Sequence, residues 1–179
     1  FGYWAAAFLR APGGAVVLPP TLGRETQVID VDDLSSFIVR TSATGVVNAV
    51  GDRHPLAGVL AMFAAASGHT GAAVVADEVA LIDAGVSYWM GDRSLPLWLP
   101  ADMPGFMTRS NARYHAAGGM LRPIDETIAA VAADEKARGV ERPRKAGLTR
   151  DEELALLDAL SGSAGPDASA GSATQRTGP

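Results

Sequence analysis

Cysteine is absent from the 179 residues. That excludes disulfides, thiolate metal sites and a cysteine nucleophile, and it fits a reducing cytoplasm. Histidine is scarce, at three residues. His54, His69 and His115 are widely spaced and form no metal-type pair, so each reads as a surface or helix-end residue. No G-x-G-x-x-G, Walker loop or G-x-S-x-G elbow occurs. Long apolar runs are missing too. The apolar opening of residues 1–9 is far too short to span a bilayer, and it lacks the preceding positive charge of a signal peptide. Positive charge is outnumbered: 15 Lys and Arg against 20 Asp and Glu give −5. Neither a nucleic-acid surface nor a membrane span is therefore expected.

What is present is an ordinary globular balance, 47% apolar and 20% charged, on a chain long enough to bury a core. Residues 15–18 read as a strand stopped by Pro19 and Pro20. Residues 27–31 read as a second strand that breaks into carboxylates, with Asp32 or Asp33 able to cap a helix over residues 33–41. Residues 45–50 read as a third strand. Pro55 opens a helix whose apolar face is Leu56, Val59, Leu60 and Phe63, ended by Gly68. Residues 72–76 read as a fourth strand. Asp77 caps the next helix, with Leu81 and Ile82 inward and Gly85 at its end. This alternation is the pattern of βαβ units on a small, largely parallel sheet.

Residues 88–106 break the pattern. Tyr88, Trp89, Trp98 and Phe106 lie among prolines with little periodicity, as in an ordered loop whose aromatics either plug the core or line a pocket. Gly118 and Gly119 close a short helical piece. Pro123 opens a longer helix with Ile124, Ile128 and Val131 inward, stopping at Gly139. Thr149 with Glu152 forms a capping box for a last helix that carries Leu154, Leu157 and Leu160. Arg138, Arg142, Arg144 and Lys145 form a basic linker between these helices. Residues 161–179 are Ser, Gly, Ala and Thr rich and read as a disordered tail behind one domain of residues 1–160.

Candidate chemistry is sparse. Asp30, Asp32 and Asp33 lack the further oxygens of a calcium loop, so one buried, hydrogen-bonded Asp and one helix cap is the favoured reading. Arg24 and Arg53 stand at ends of candidate strands, where ligands approach α/β sheets, but read first as solvated surface charges. No catalytic constellation is identified.

Four pieces, in order, carry a family resemblance. They are Phe1-Gly2-Tyr3-Trp4 through Gly13-Gly14, then Gln27-Val28-Ile29-Asp30-Val31-Asp32-Asp33-Leu34. Gly45-Val46-Val47-Asn48-Ala49-Val50-Gly51 follows, and last Leu121-Arg122-Pro123-Ile124 with Glu126-Thr127. Together they resemble the C-terminal half of extended or atypical short-chain dehydrogenase/reductases, the NAD-dependent epimerase/dehydratase family. Leu97-Trp98-Leu99-Pro100 fits a reductase-like branch. The resemblance implies a partial Rossmann-type fold, namely a C-terminal substrate-binding lobe.

In that family the preceding half carries a glycine-rich dinucleotide loop and a Tyr-x-x-x-Lys pair. Tyr3, Tyr88 and Tyr114 are followed four residues on by Ala7, Asp92 and Gly118, so none is that tyrosine. No catalytic or cofactor-binding residue is therefore assigned. Residue 1, a Phe within an apolar run, suggests a chain that begins partway through a larger protein. NAD or NADP is implied for the full-length parent, with no tight binding expected of this chain. Thr26 stands where nucleotide-sugar epimerases of the family commonly carry a diphosphate-binding Arg, so the parent is not expected to use a nucleotide sugar. Gln27, Asn48, Tyr88, Trp89 and Trp98 are the candidate substrate-binding residues. The expected partners are a small-molecule substrate and either the Rossmann half or a second copy. The alternative is a non-catalytic module that binds a small molecule or a protein.

Overall fold

Six consecutive residues of the first helix are buried, which makes it the natural place to begin building the core. The structure is a computed structural model, and it describes residues 1–103 and 105–163. α1 (Gly2–Leu9) has little polar character, so it buries Tyr3 through Phe8 on all sides. It packs against α3 (Leu56–Ala66) and α6 (Ile124–Arg138). The Trp4 indole reaches out of this apolar centre and donates to the Pro96 carbonyl at 2.8 Å. That bond satisfies the one polar atom of a side chain with no exposed surface.

β1 (Val16–Leu18) pairs in parallel with β4 (Ala73–Val75), Val17 opposite Val74. β2 (Glu25–Gln27) and β3 (Arg53–Pro55) form an antiparallel ladder, Thr26 opposite His54. The remaining strands are two residues each: β5 (Ser87–Tyr88) beside β7 (Ser94–Leu95), and β6 (Gly91–Asp92) beside β8 (Ala146–Gly147), both parallel. Among the described residues the protein is thus mixed α/β, with small, mostly parallel two-stranded ladders flanked by helices. The other helices are α2 (Val31–Arg40), α4 (Glu78–Asp83), α5 (Ala112–Ala116) and α7 (Arg150–Ser163).

Several sequence expectations are met. Asp77 caps α4 by accepting from Val79 N at 2.8 Å. Thr149 and Glu152 close their capping box reciprocally, Thr149 N donating to Glu152 at 2.8 Å and Glu152 N to the Thr149 hydroxyl at 3.2 Å. Others are corrected. The strand expected over residues 27–31 lies earlier, at Glu25–Gln27, and the helix starts at Val31. Its cap is Asp30, not Asp32 or Asp33: the Asp30 carboxylate accepts from Asp32 N at 2.9 Å. The β-branched run 28–31 looked like a strand, but the Asp30 cap claims its end for the helix.

Residues 45–50 form no strand. They are held by side chains instead, as when Asn48 donates to the Ser110 carbonyl at 3.2 Å. Ile82 and Leu154 point outward, and Leu81 and Leu156 take the core positions. The last helix continues through Ser163; the rest of the expected tail, residues 164–179, lies outside the described residues.

A buried carboxylate ties α7 to the rest. Glu153 accepts from Val17 N of β1 at 3.1 Å, from Arg150 at 2.7 Å and from Arg10 at 3.5 Å. Arg10 donates in turn to the Leu148 carbonyl at 3.0 Å. Nothing in the apolar periodicity singles out Glu153, because a glutamate in the first turn of a helix ordinarily serves the helix dipole at the surface.

Candidate functional site

A cleft of about 550 Å³ lies between the start of the β2–β3 ladder and the aromatic segment. One wall is Leu22, Arg24, Glu25 and Arg53; the other is Leu97, Leu99, Pro100, Met103, Met107 and Thr108. The volume falls within the range of small-molecule pockets, which are mostly apolar with a few placed polar groups.

Arg24 frames this cleft. Its guanidinium donates to the Pro20 carbonyl at 2.8 Å, to the Leu99 carbonyl at 2.7 Å and to Glu78 at 2.6 Å. Only 14% of the side chain is exposed, so it is a structural bracket and not the solvated charge expected from sequence. The other Glu78 oxygen accepts from the Tyr88 hydroxyl. That bond to a carboxylate pushes the Tyr88 phenol up to about 12, because removing its proton would set two anions together. Arg53 is different. It donates from Nε, at 3.0 Å, and from Nη2 to Glu25, two residues along the partner strand from its registered neighbour Gln27, and half of its side chain is in solvent.

The aromatic segment is tightly folded. Trp89, Arg93 and Leu97 all adopt positive φ, at 63°, 52° and 69°, a region that side chains with a Cβ rarely occupy. The ring of Tyr88 packs on Trp98 with centroids 4.1 Å apart, and Trp89 meets Phe106 edge-on at 5.3 Å. Trp89 N donates to the Trp98 carbonyl at 3.0 Å, which closes the loop on itself.

The five candidate residues divide into two groups. Tyr88, Trp89 and Trp98 come together in the aromatic segment but none lines the cleft: Trp89 lines a neighbouring groove, and Trp98 is fully buried with no hydrogen-bond partner for its indole N–H among the described residues. Gln27 and Asn48 come together elsewhere, on the backbone of residues 109–110. Gln27 donates to Gly51 O at 3.0 Å and to Arg109 O at 2.8 Å, and accepts from Arg109 N at 2.7 Å. The residues that directly line the cleft, Arg24, Glu25, Arg53 and Met103, were not selected from sequence as binding residues. The one available signal was the position of the two arginines at strand ends.

Two further concavities are lined by spent charges. Around a smaller one of about 270 Å³, Arg122 donates from its backbone N to Asp33 at 2.8 Å and from its side chain at 3.1 Å, while Thr127 donates to Asp30 at 2.8 Å. The cluster thus serves structural roles, but not in the expected split: Asp30 is both the cap and the acceptor for Thr127, Asp33 is half-buried on Arg122, and Asp32 is exposed. In a groove beside Trp89 the basic linker folds back onto Glu135, which Arg142 contacts at 2.8 Å and Arg144 at 2.6 Å. Burial opposes the Glu135 charge, but the two guanidinium groups outweigh it and hold the carboxyl below its ordinary value. No group of three or more His, Asp or Glu residues that could hold a metal ion occurs among the described residues. No described helix is long and apolar enough to cross a membrane.

Comparison with protein-family models, with curated proteins and with solved structures returns no match to this chain.

Proposed function

We propose that this chain is the substrate-binding portion of an NAD(P)-dependent oxidoreductase of the reductase or epimerase/dehydratase type, and that the cleft walled by Arg24, Arg53, Leu97 and Met103 receives its small-molecule substrate. The observation that carries this reading is the cleft itself. It is of ligand size, it is apolar over most of its wall, and it is braced by the Arg24–Glu78–Tyr88 bonds. The ordered family motifs support it from the sequence side.

On this proposal the dinucleotide binds outside this chain, whose sequence has no G-x-G-x-x-G loop. A pyrophosphate needs open backbone amides at a helix N-terminus. α2 begins with Asp30, Asp32 and Asp33, α4 with Asp77 and Glu78, α6 with Asp125 and Glu126, and α7 with Asp151, Glu152 and Glu153. Those carboxylates oppose a phosphate at these four helix starts, whereas α1, α3 and α5 have no acidic residue in the first turn. On this reading the cofactor is held by the parent's other half, and this chain contributes substrate contacts and no proton transfer.

Thr26 is fully buried, so it offers neither charge nor access to a diphosphate, which supports a substrate other than a nucleotide sugar. Reading the DNA immediately upstream of the Phe1 codon tests the proposal. An in-frame glycine-rich loop and Tyr-x-x-x-Lys are expected. A stop codon in frame directly before Phe1 would contradict it. Turnover of a nucleotide-linked sugar by the longer protein would contradict the substrate inference.

A second reading, a binding module without chemistry, draws on the β4 side, where Val75, Val79 and Ile82 are exposed close together in sequence. Light scattering on the purified chain separates the two. A stable homodimer or a co-purifying protein favours the module, and a monomer disfavours it.

A further inference from the structure

We propose that the cleft selects ligands with an apolar body and a single carboxylate, and that this carboxylate binds Arg53 by displacing Glu25. The inference rests on the cleft being the substrate site and adds the chemical class of what enters it.

Two guanidinium groups face the cleft, and only one is available. Arg24 is committed through all three of its nitrogens, to two backbone carbonyls and to Glu78, and it is largely buried. Releasing it would orphan the Leu99 carbonyl in the cleft wall. Arg53 holds a single side chain, Glu25, among the described residues. That pair sits at the rim with 53% of the Arg53 side chain and 35% of the Glu25 side chain exposed. Exposed pairs of this kind contribute little, since solvent screens them and two long side chains must be ordered. Arg53 Nε and Nη2 both point at one oxygen, Glu25 Oε2, so a ligand carboxylate can replace Glu25 on the same edge of the guanidinium while Glu25 swings into water.

The rest of the wall explains the remainder of the ligand. Leu22, Leu97, Leu99, Pro100, Met103 and Met107 offer apolar surface, with two flexible methionines that adapt to shape. Leu22 is 97% exposed and extends this apolar surface at the cleft's edge. A ligand with two or more negative charges is disfavoured. Arg24 is already neutralised by Glu78, so a second anion would find no further free cation among the described residues of this wall.

The test uses 4-phenylbutyrate and its neutral amide, 4-phenylbutanamide, titrated into the purified chain by calorimetry. The acid is expected to bind at least about tenfold more tightly than the amide, the loss of one charge-assisted pair. Glu25→Gln is expected to tighten the acid several-fold, because it removes the internal competitor. Arg53→Gln is expected to abolish the preference for acid over amide. Equal binding of acid and amide, no saturable binding of the acid, or a Glu25→Gln variant that binds the acid no better would each overturn the proposal. The acid–amide comparison needs no variant, so a folding defect cannot mask the result. Neither ligand nor assay involves a dinucleotide. A positive result with no Rossmann half encoded upstream would sustain this inference while the oxidoreductase reading fails.

Discussion

Replacing Glu153 with Gln tests the way the chain is held together. The Glu153 carboxylate has no exposed surface, and its partner Arg10 is only 4% exposed. The substitution keeps the shape and an oxygen for the Val17 amide, 3.1 Å away. It cancels the charge that faces Arg10 and Arg150. Arg10 keeps its bond to the Leu148 carbonyl but becomes a buried cation without a counter-ion. Breaking one side of a buried pair costs about 3–5 kcal/mol. Arg150 is 22% exposed and can turn to water, which sets the expected loss near the low end, about 3 kcal/mol. For a chain of this size each kcal/mol moves the melting temperature by roughly 2–4 °C, so Tm should fall by roughly 6–12 °C. Urea unfolding followed by tryptophan fluorescence reads the free energy, and calorimetry reads the midpoint. A loss under about 1 kcal/mol would refute the buried-pair reasoning, since that is the scale of a solvent-exposed bridge.

Three further outcomes follow from the geometry. All three tyrosines are pushed upward: Tyr3 by burial and then the nearby Glu153 charge, Tyr88 to about 12 by its bond to Glu78, and Tyr114 by burial. A raised folded-state value stabilises the fold below the ordinary phenol value of 10.0, and that contribution is lost as pH rises from there toward the folded value. Ultraviolet titration should therefore show little tyrosinate in the native chain where the urea-unfolded chain is half ionised; coincident curves would contradict it. Asp30→Ala removes the α2 cap and the acceptor for Thr127, at a cost of about 0.5–2 kcal/mol for the cap alone, whereas Asp30→Asn should retain much of it. Denaturant midpoints compare the pair. Gly51→Ala would set a Cβ 1.7 Å from the Val28 carbonyl oxygen, so the backbone under the Gln27 clamp must shift, at about 1–3 kcal/mol by the same assay.

Elements with strong local signals were legible in the sequence. α3 follows from Pro55 and its apolar stripe, α4 from the Asp77 cap, and α7 from the capping box. The misplacements share one cause. Residues 28–31 and 45–50 have β-branched composition, but composition records no pairing partner, and side-chain bonds from Gln27 and Asn48 to the 109–110 backbone compete with a ladder there. The outward turn of Leu154 and Ile82 shows the same limit at the level of helix phase: neighbouring leucines give nearly equivalent stripes, and tertiary packing chooses.

The site was less legible than the fold. The aromatics of the 88–106 segment are evident from composition, and the structure packs them on one another and not into the cleft lining. The cleft's polar rim depends on Arg24 and Arg53 meeting Glu78 and Glu25, fifty-four and twenty-eight residues away in sequence. Such pairs carry no local pattern. Glu135 and Glu153 escaped for the same reason, since a buried glutamate is distinguished only by the arginines that reach it.

The most direct measurement for the central claim is a pair of amide and indole NMR titrations of the chain, one with 4-phenylbutyrate and one with NADPH. The three tryptophans give indole reporters, of which Trp98 is a core residue between the cleft-lining Leu97 and Leu99, Trp89 lines the neighbouring groove, and Trp4 lies in the core. The expected result is saturable shifts at residues 22–25, 53 and 97–103 with the acid, and no saturable shifts with NADPH. Tight NADPH binding, or acid-induced shifts confined to other surfaces, would contradict a substrate-binding lobe whose cofactor half lies elsewhere.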